Sequence, residues 1–210
     1  MPTTLLLVQL LNGVQLGVLL FLVAAGLTLV FGVMDFINLA HGVQYMLGAY
    51  LAASLGIWTG SFWWGLVLAL PTSLVIGLAL EQLIFSHLYR RDHLSQVLAT
   101  FGVILTLDDL TRVIWGSSAL AVLEPAGMGF GVQIMPGLVY PAYRLAVIAA
   151  GLAVAVLLWL LVERTRVGMR VRAGASDAQM ISALGVNVGR LFTAVFGFGA
   201  MLAGFAGALA

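Results

Sequence analysis

Six apolar runs divide the chain, at residues 5–31, 42–58, 62–85, 95–115, 142–162 and 191–210. A helix needs about 20 consecutive apolar residues to cross a bilayer. The pattern therefore predicts an all-α, polytopic transmembrane bundle of about six spans in one domain, 1–210. The first run is longer than a span needs, so it tilts or begins outside the hydrocarbon. The second is short and follows a polar interruption at 34–42, which marks it as a broken or re-entrant span. In the sixth, Ala200, Gly204 and Ala208 fall on one helical line, with Ala203 and Gly207 beside it. Such lines let helix backbones approach closely, so this helix wants neighbours on more than one side. It is still apolar at Ala210, from which we expect a truncated version of a longer protein.

Charge orients the bundle. Residues 86–93 carry Arg90 and Arg91, and 163–190 carries five more arginines, while 116–141 has no Lys or Arg. Basic loops stay on the cytoplasmic side, so the first two are cytoplasmic and the third external. Two spans separate the basic loops, as that parity requires. Counting back places the N-terminus outside, provided runs one and two are each full spans. Trp58, Trp63 and Trp64 then mark the external interface.

Composition narrows the function. Charged residues make up 8% of the chain, against about 25% in a soluble domain. Net charge near zero gives no reason to expect nucleic acid. Cysteine is absent, which excludes disulfides and thiolate chemistry. Lysine is absent too, which excludes a P-loop, so any ATP is hydrolysed by another chain. No nucleophile stands near a base, so no catalytic residue is assigned. His41 has no second ligand at metal spacing, so neither a metal nor a cofactor is expected.

Two polar stretches could carry function. In the first, Asp35, Asn38 and His41 lie between two apolar runs. Polar groups are costly in lipid, and irregular backbone at membrane depth is tolerated only where it is buried or lines a cavity. These residues are candidates for a substrate path. The same sequence is compatible with a short cytoplasmic turn whose side chains are wet. The second stretch is 163–190. Its segment 173–184 has few helix breakers and stops at Gly185, so we expect one short helix on the membrane surface. A solvated topological anchor is the plainer alternative. Elsewhere, Asp108 and Arg112 are four apart and predict an ion pair on one helix face. Glu81 and Arg144 sit near span ends, where they can snorkel or pair. Gly102 predicts close helix packing.

At these two stretches the chain resembles a known family, the inner-membrane permeases of branched-chain amino acid ABC transporters. The likeness rests on Leu11-Asn-Gly, Gly26-Leu-Thr-Leu-Val-Phe-Gly32, Asn38-Leu-Ala-His-Gly42 and Tyr45-Met-Leu-Gly-Ala-Tyr50. It continues through Leu98-Ala-Thr-Phe-Gly102, Trp115-Gly116, Thr165-Arg-Val-Gly168, Arg172, Asp177, Ala183-Leu-Gly-Val-Asn187 and Ala203-Gly-Phe-Ala-Gly207. The resemblance implies a permease subunit that forms the path for an amino acid across the bacterial inner membrane. Its partners would be a second permease, two cytoplasmic ATPases and a periplasmic substrate-binding protein. The resemblance also implies that 163–190 is a cytoplasmic coupling loop, with Arg172, Asp177, Gln179 and Gly185 serving the ATPase contact. The family has an acidic residue where Gln179 stands, and an Arg-Pro-Leu-Arg run where this chain has Ser86-His-Leu-Tyr-Arg90. Urea and short-chain amide importers share the Asn-x-Ala-His-Gly element and remain a rival substrate class. An intramembrane enzyme using Asp35 and His41, or a membrane scaffold subunit, are rivals of other kinds.

Overall fold

The computed structural model describes residues 2–118, 120, 125, 127–135 and 138–210. Among the described residues the chain forms eight α-helices, a 3-10 turn at Phe85–His87 and one small hairpin. The α-helices are α1 (Pro2–Met34), α2 (His41–Thr59), α3 (Phe62–Leu83), α4 (His93–Trp115), α5 (Ala142–Arg164), α6 (Arg166–Ser176), α7 (Ala178–Ala183) and α8 (Val188–Leu209). The hairpin strands are β1 (Gly131–Met135) and β2 (Leu138–Pro141). Thus all six apolar runs are helical. Four helices, α1, α3, α5 and α8, are long and apolar enough to cross a membrane. The other two are more polar: α2 carries His41 and Gln44, and α4 carries Asp108, Asp109 and Arg112. The architecture is an all-α polytopic membrane bundle.

The core of the bundle is α8. It packs against α1, α2 and α3, while α5 leans on α1 and α6. Of the apolar window of α8, 56% is buried, against 11% for α5, although both are long and greasy. The difference is side-chain size. Gly204 of α8 meets Gly48 of α2, Gly207 meets the Tyr45 backbone, Ala200 meets Gly77 of α3, and Gly199 meets Gly26 of α1. Small residues inside and leucines outside is the packing expected where lipid replaces water. Leu157, Trp159 and Leu160 of α5 face outward accordingly. The small-residue lines read in the sixth run are these contacts.

One end of the bundle gathers both arginine-bearing connections. Phe85 stacks on Phe196 at 5.1 Å, and Tyr89 meets Phe192 edge-on at 5.8 Å. The opposite end holds Gly60, the exposed Trp58 and Trp64, and the hairpin. There Tyr140 of β2 donates to Asn12 Oδ1 at 3.0 Å, and Arg144 donates to the same oxygen at 2.7 Å. The hairpin replaces the plain loop expected over 116–141. Residues 119, 121–124, 126, 136 and 137 of that loop lie outside the described residues. Since α1 begins at the hairpin end, its first described turn lies opposite the two arginine-bearing connections.

Three other expectations need correction. Gly102 packs against nothing, because Thr100 and Val103 are the residues α4 turns inward. Glu81 and Arg144 lie at opposite ends, and Glu81 is fully buried rather than snorkelling. The single helix expected over 173–184 is two helices, α6 and α7, broken at Asp177 in extended conformation. Asp108 and Arg112 do pair, at 2.8 Å, on an exposed face.

Candidate functional site

Asp35 ends α1 by adopting a left-handed conformation, φ 48°, which a short polar side chain tolerates better than most. The chain then turns back along α1. His41, the first residue of α2, places Nε2 3.0 Å from the carbonyl of Val23. Val23 lies eleven residues before Met34, so the imidazole reaches back alongside the last three turns of α1. Hence α2 starts inside the bundle, with its first side chain against α1.

Aromatic and amide contacts fix the return. Phe36 is fully buried between Phe85, 5.5 Å away, and Tyr89, 5.4 Å away. The Ile37 amide donates to Gln96 Oε1 at 3.2 Å, and Gln96 Nε2 donates to the carbonyls of Leu88 and Arg91. The α4 start is thereby tied to the broken segment. At its far end, Trp115 donates to Ser54 Oγ at 2.6 Å.

The three path candidates are placed differently. Asp35 is exposed at the bundle end, whereas Asn38 and His41 are buried. The Nδ1 atom of His41 and both amide atoms of Asn38 have no hydrogen-bond partner in the protein. Neighbouring side chains missed from the sequence share this condition. Gln44 is buried beside the His41 ring, Ser73 is buried and unpartnered, and Glu81 keeps one oxygen, Oε2, free while Oε1 accepts from Tyr89 at 2.8 Å. Burial and the Glu81 carboxylate push the Tyr89 hydroxyl well above its usual range, so it stays a donor. A sequence signal for these residues existed. Ser73, Gly77 and Glu81 are four apart, as are Gln44 and Gly48, so each polar residue rides the stripe of small residues that faces α8.

The coupling candidates sit on the other polar stretch and are mostly exposed. Thr165 caps α6 by accepting from the Gly168 amide at 3.0 Å. Arg172 donates to the Val162 carbonyl and lies 3.4 Å from Glu163, which clasps α6 to the end of α5. Asp177 caps α7, accepting from the amides of Gln179 at 2.9 Å and Met180 at 2.8 Å. Gln179 projects into the open, and Met180 and Leu184 are 62% and 75% exposed. Gly185, φ 86°, closes α7 with its own amide bonded to Ser182 and that of Val186 to Ile181. This double bond with a left-handed glycine is a Schellman closure. Ile181 is the one buried apolar side chain of α7.

Residues 9–210 match the family model described as branched-chain amino acid transport system, permease component. The chain belongs to that permease family. Among curated relatives, the BraD high-affinity branched-chain amino acid transport permease of Pseudomonas aeruginosa is 29% identical over 214 residues, covering 96% of this chain and 69% of BraD. LivH, the corresponding permease protein of Escherichia coli K12, is 28% identical with the same coverage. LivH of Salmonella typhimurium is 28% identical over 220 residues. No solved structure matches the chain. The family is one of transport permeases, membrane subunits that work with others. Its membership and the four apolar helices make this chain a multi-pass membrane protein.

Proposed function

We propose that this chain is a permease subunit of an ATP-driven importer, carrying branched-chain amino acids across the bacterial inner membrane. The family match over residues 9–210 carries the reading. It works with a second permease, two cytoplasmic ATPases and a periplasmic substrate-binding protein. The arginine-bearing end is cytoplasmic, and its exposed helix α7 offers Met180, Leu184 and Gln179 to a groove on the ATPase. Because the binding protein selects the substrate, the permease needs only to pass it. The path runs beside Asn38 and His41, with Asp35 at its cytoplasmic mouth.

The test is uptake of labelled leucine in a strain lacking the chain, with and without the gene restored. Restored leucine uptake supports the reading; restored uptake of urea or acetamide alone moves the substrate to the amide class. Orientation is checked with the introduced thiols Gly127→Cys and Ser176→Cys. On intact spheroplasts an impermeant thiol reagent labels the first and spares the second. The reverse pattern overturns the orientation.

A further inference from the structure

Helix α5 leans on α1 and α6 but stands off α8, and a groove is left between the two. Val154, Leu157 and Leu161 form its α5 wall, while Ala194, Phe198 and Leu202 form its α8 wall. Every residue lining it is apolar, and Leu161 and Phe198 border both its inner and its outer half, so it is continuous. From Leu191 to Phe205 it follows fourteen steps of α8, roughly 21 Å of axis at 1.5 Å per residue. Beyond that, Tyr143 of α5 donates to the Leu209 carbonyl at 2.9 Å and shuts the outer end. A hydrocarbon core of about 30 Å gives each leaflet about 15 Å. The groove is therefore a blind slot that begins at the arginine-bearing end and is deep enough for the acyl chain of one leaflet.

Both walls lead to an arginine. On α8, Arg190 stands four residues before Ala194 and eight before Phe198, so it heads the same helical line. On α5, Arg164 stands three residues after Leu161 and shares its face, with its guanidinium 5.6 Å from the centre of the Trp159 ring. Helix α6 crosses the same end. Its Val167 and Val171 line the groove, and Arg170 lies beside them, three residues after the first and one before the second. Arg164, Arg170 and Arg190 are exposed. Among the described residues the ion pairs are Asp108–Arg112 and Glu163–Arg172, so these three arginines have none. An apolar slot headed by three unpaired guanidinium groups matches a molecule with a hydrocarbon tail and an anionic head. A protein helix matches it less well. The outer and inner halves hold about 310 Å³ and 190 Å³, a slot far narrower than a helix, which is about 10–12 Å across with its side chains.

We infer that the groove between α5 and α8 is a binding site for one anionic phospholipid, taken from the leaflet at the arginine-bearing end. One acyl chain lies along the groove, and the phosphate lies among Arg164, Arg170 and Arg190. A guanidinium meets phosphate oxygens through parallel hydrogen bonds, which suits arginine better than lysine to this task. A zwitterionic head carries its own cation to the same place and gains less from the arginines. The three arginines belong to three helices. The bound lipid therefore ties the start of α8 and the surface helix α6 to the end of α5, and fills a gap that the protein leaves open. This site is separate from the polar residues around Asn38 and His41. It does not depend on what the chain transports, only on its crossing a membrane.

The test uses the intact transporter, with its partner subunits, in phosphatidylcholine vesicles doped with a photoreactive lipid. In one series the probe is phosphatidylglycerol with a diazirine in one acyl chain; in the other it is phosphatidylcholine with the same tail. After illumination, adducts are mapped by peptide mass spectrometry. The yield in the groove is divided by the yield at Val75, an outward residue of α3 that serves as the bulk-lipid reference. We expect this ratio over residues 154–161 and 194–205 to be about tenfold higher for phosphatidylglycerol. Arg170→Gln combined with Arg190→Gln should bring the two probes within about twofold of each other. Ala194→Trp, at an exposed position facing the groove, should remove the groove adducts of both. If Ala194→Trp fails to assemble, Leu157→Trp, on the exposed opposite wall, replaces it. Equal ratios for the two probes in the parent overturn the site, as does a preference that survives loss of both arginines. Absence of groove adducts from either probe overturns it in favour of a protein helix lying over the groove. Loss of the preference on adding glycerol phosphate at matched ionic strength overturns the lipid and leaves an anion site alone.

Discussion

The two polar stretches of this chain, 35–44 and 165–187, both interrupt apolar sequence and are opposites in the fold. In the outer one each helix is closed at its start by a nearby side chain: Thr165 for α6, Asp177 for α7 and Asn187 for α8. Such a segment is satisfied locally and can meet a partner without rearranging itself. The inner stretch has no side-chain cap on α2 and leaves both amide atoms of the buried Asn38 without a partner in the protein. The lesson is that a polar interruption in an apolar chain can be placed in two ways: outside, closed upon itself, or inside, against the core helix.

Substitutions sharpen this contrast, and the largest effect belongs to the inner region. A side chain at Gly48 would overlap the Gly204 backbone. Gly48→Leu should cost about 3 kcal/mol or more and remove the folded species seen by size-exclusion in detergent. Gly32→Leu, with open space around it, should leave that species unchanged. Next, Asn38→Leu should lower leucine uptake about tenfold or more while membrane content stays near the parent's. Equal uptake would return this stretch to a simple turn. In the outer region, Gly185→Leu forces a branched side chain into φ 86°, at about 1–2 kcal/mol. Insertion should survive, while co-purification of the ATPase falls; Gly185→Asn should retain it, because Asn tolerates that conformation. Smallest is Asp177→Ala, which removes the α7 cap for about 1 kcal/mol. Uptake should fall only partly, and Asp177→Asn should restore it.

The six long helices were legible because the apolar runs are long and unambiguous, while the hairpin was not. The extra break at Asp177 was not legible. Residues 173–184 contain no glycine pair or proline to announce it, and an aspartate reads as a helix cap only once the preceding helix is known to end. The buried set was half legible. Asn38 and His41 stood in an obvious interruption, but Gln44, Ser73 and Glu81 sit inside apolar runs. Their burial follows from which face meets α8, and that depends on Gly26, Gly48 and Gly77 docking on a helix more than a hundred residues later.

The central place of α8 has a consequence for how the protein is made. Ribosomes deliver α1 through α5 before residues 188–209 exist, so every neighbour of the hub enters the membrane before the hub. Until then the notched faces of α1, α2 and α3 have no mate, and Gln44, Ser73 and Glu81 must be kept from lipid by water or by one another. Insertion and assembly are therefore separate events, and the bundle closes only when its last described helix slides between helices already in place. A chain released just after α5 should reach the membrane with the correct number of crossings and still be cleared by proteases as unfinished.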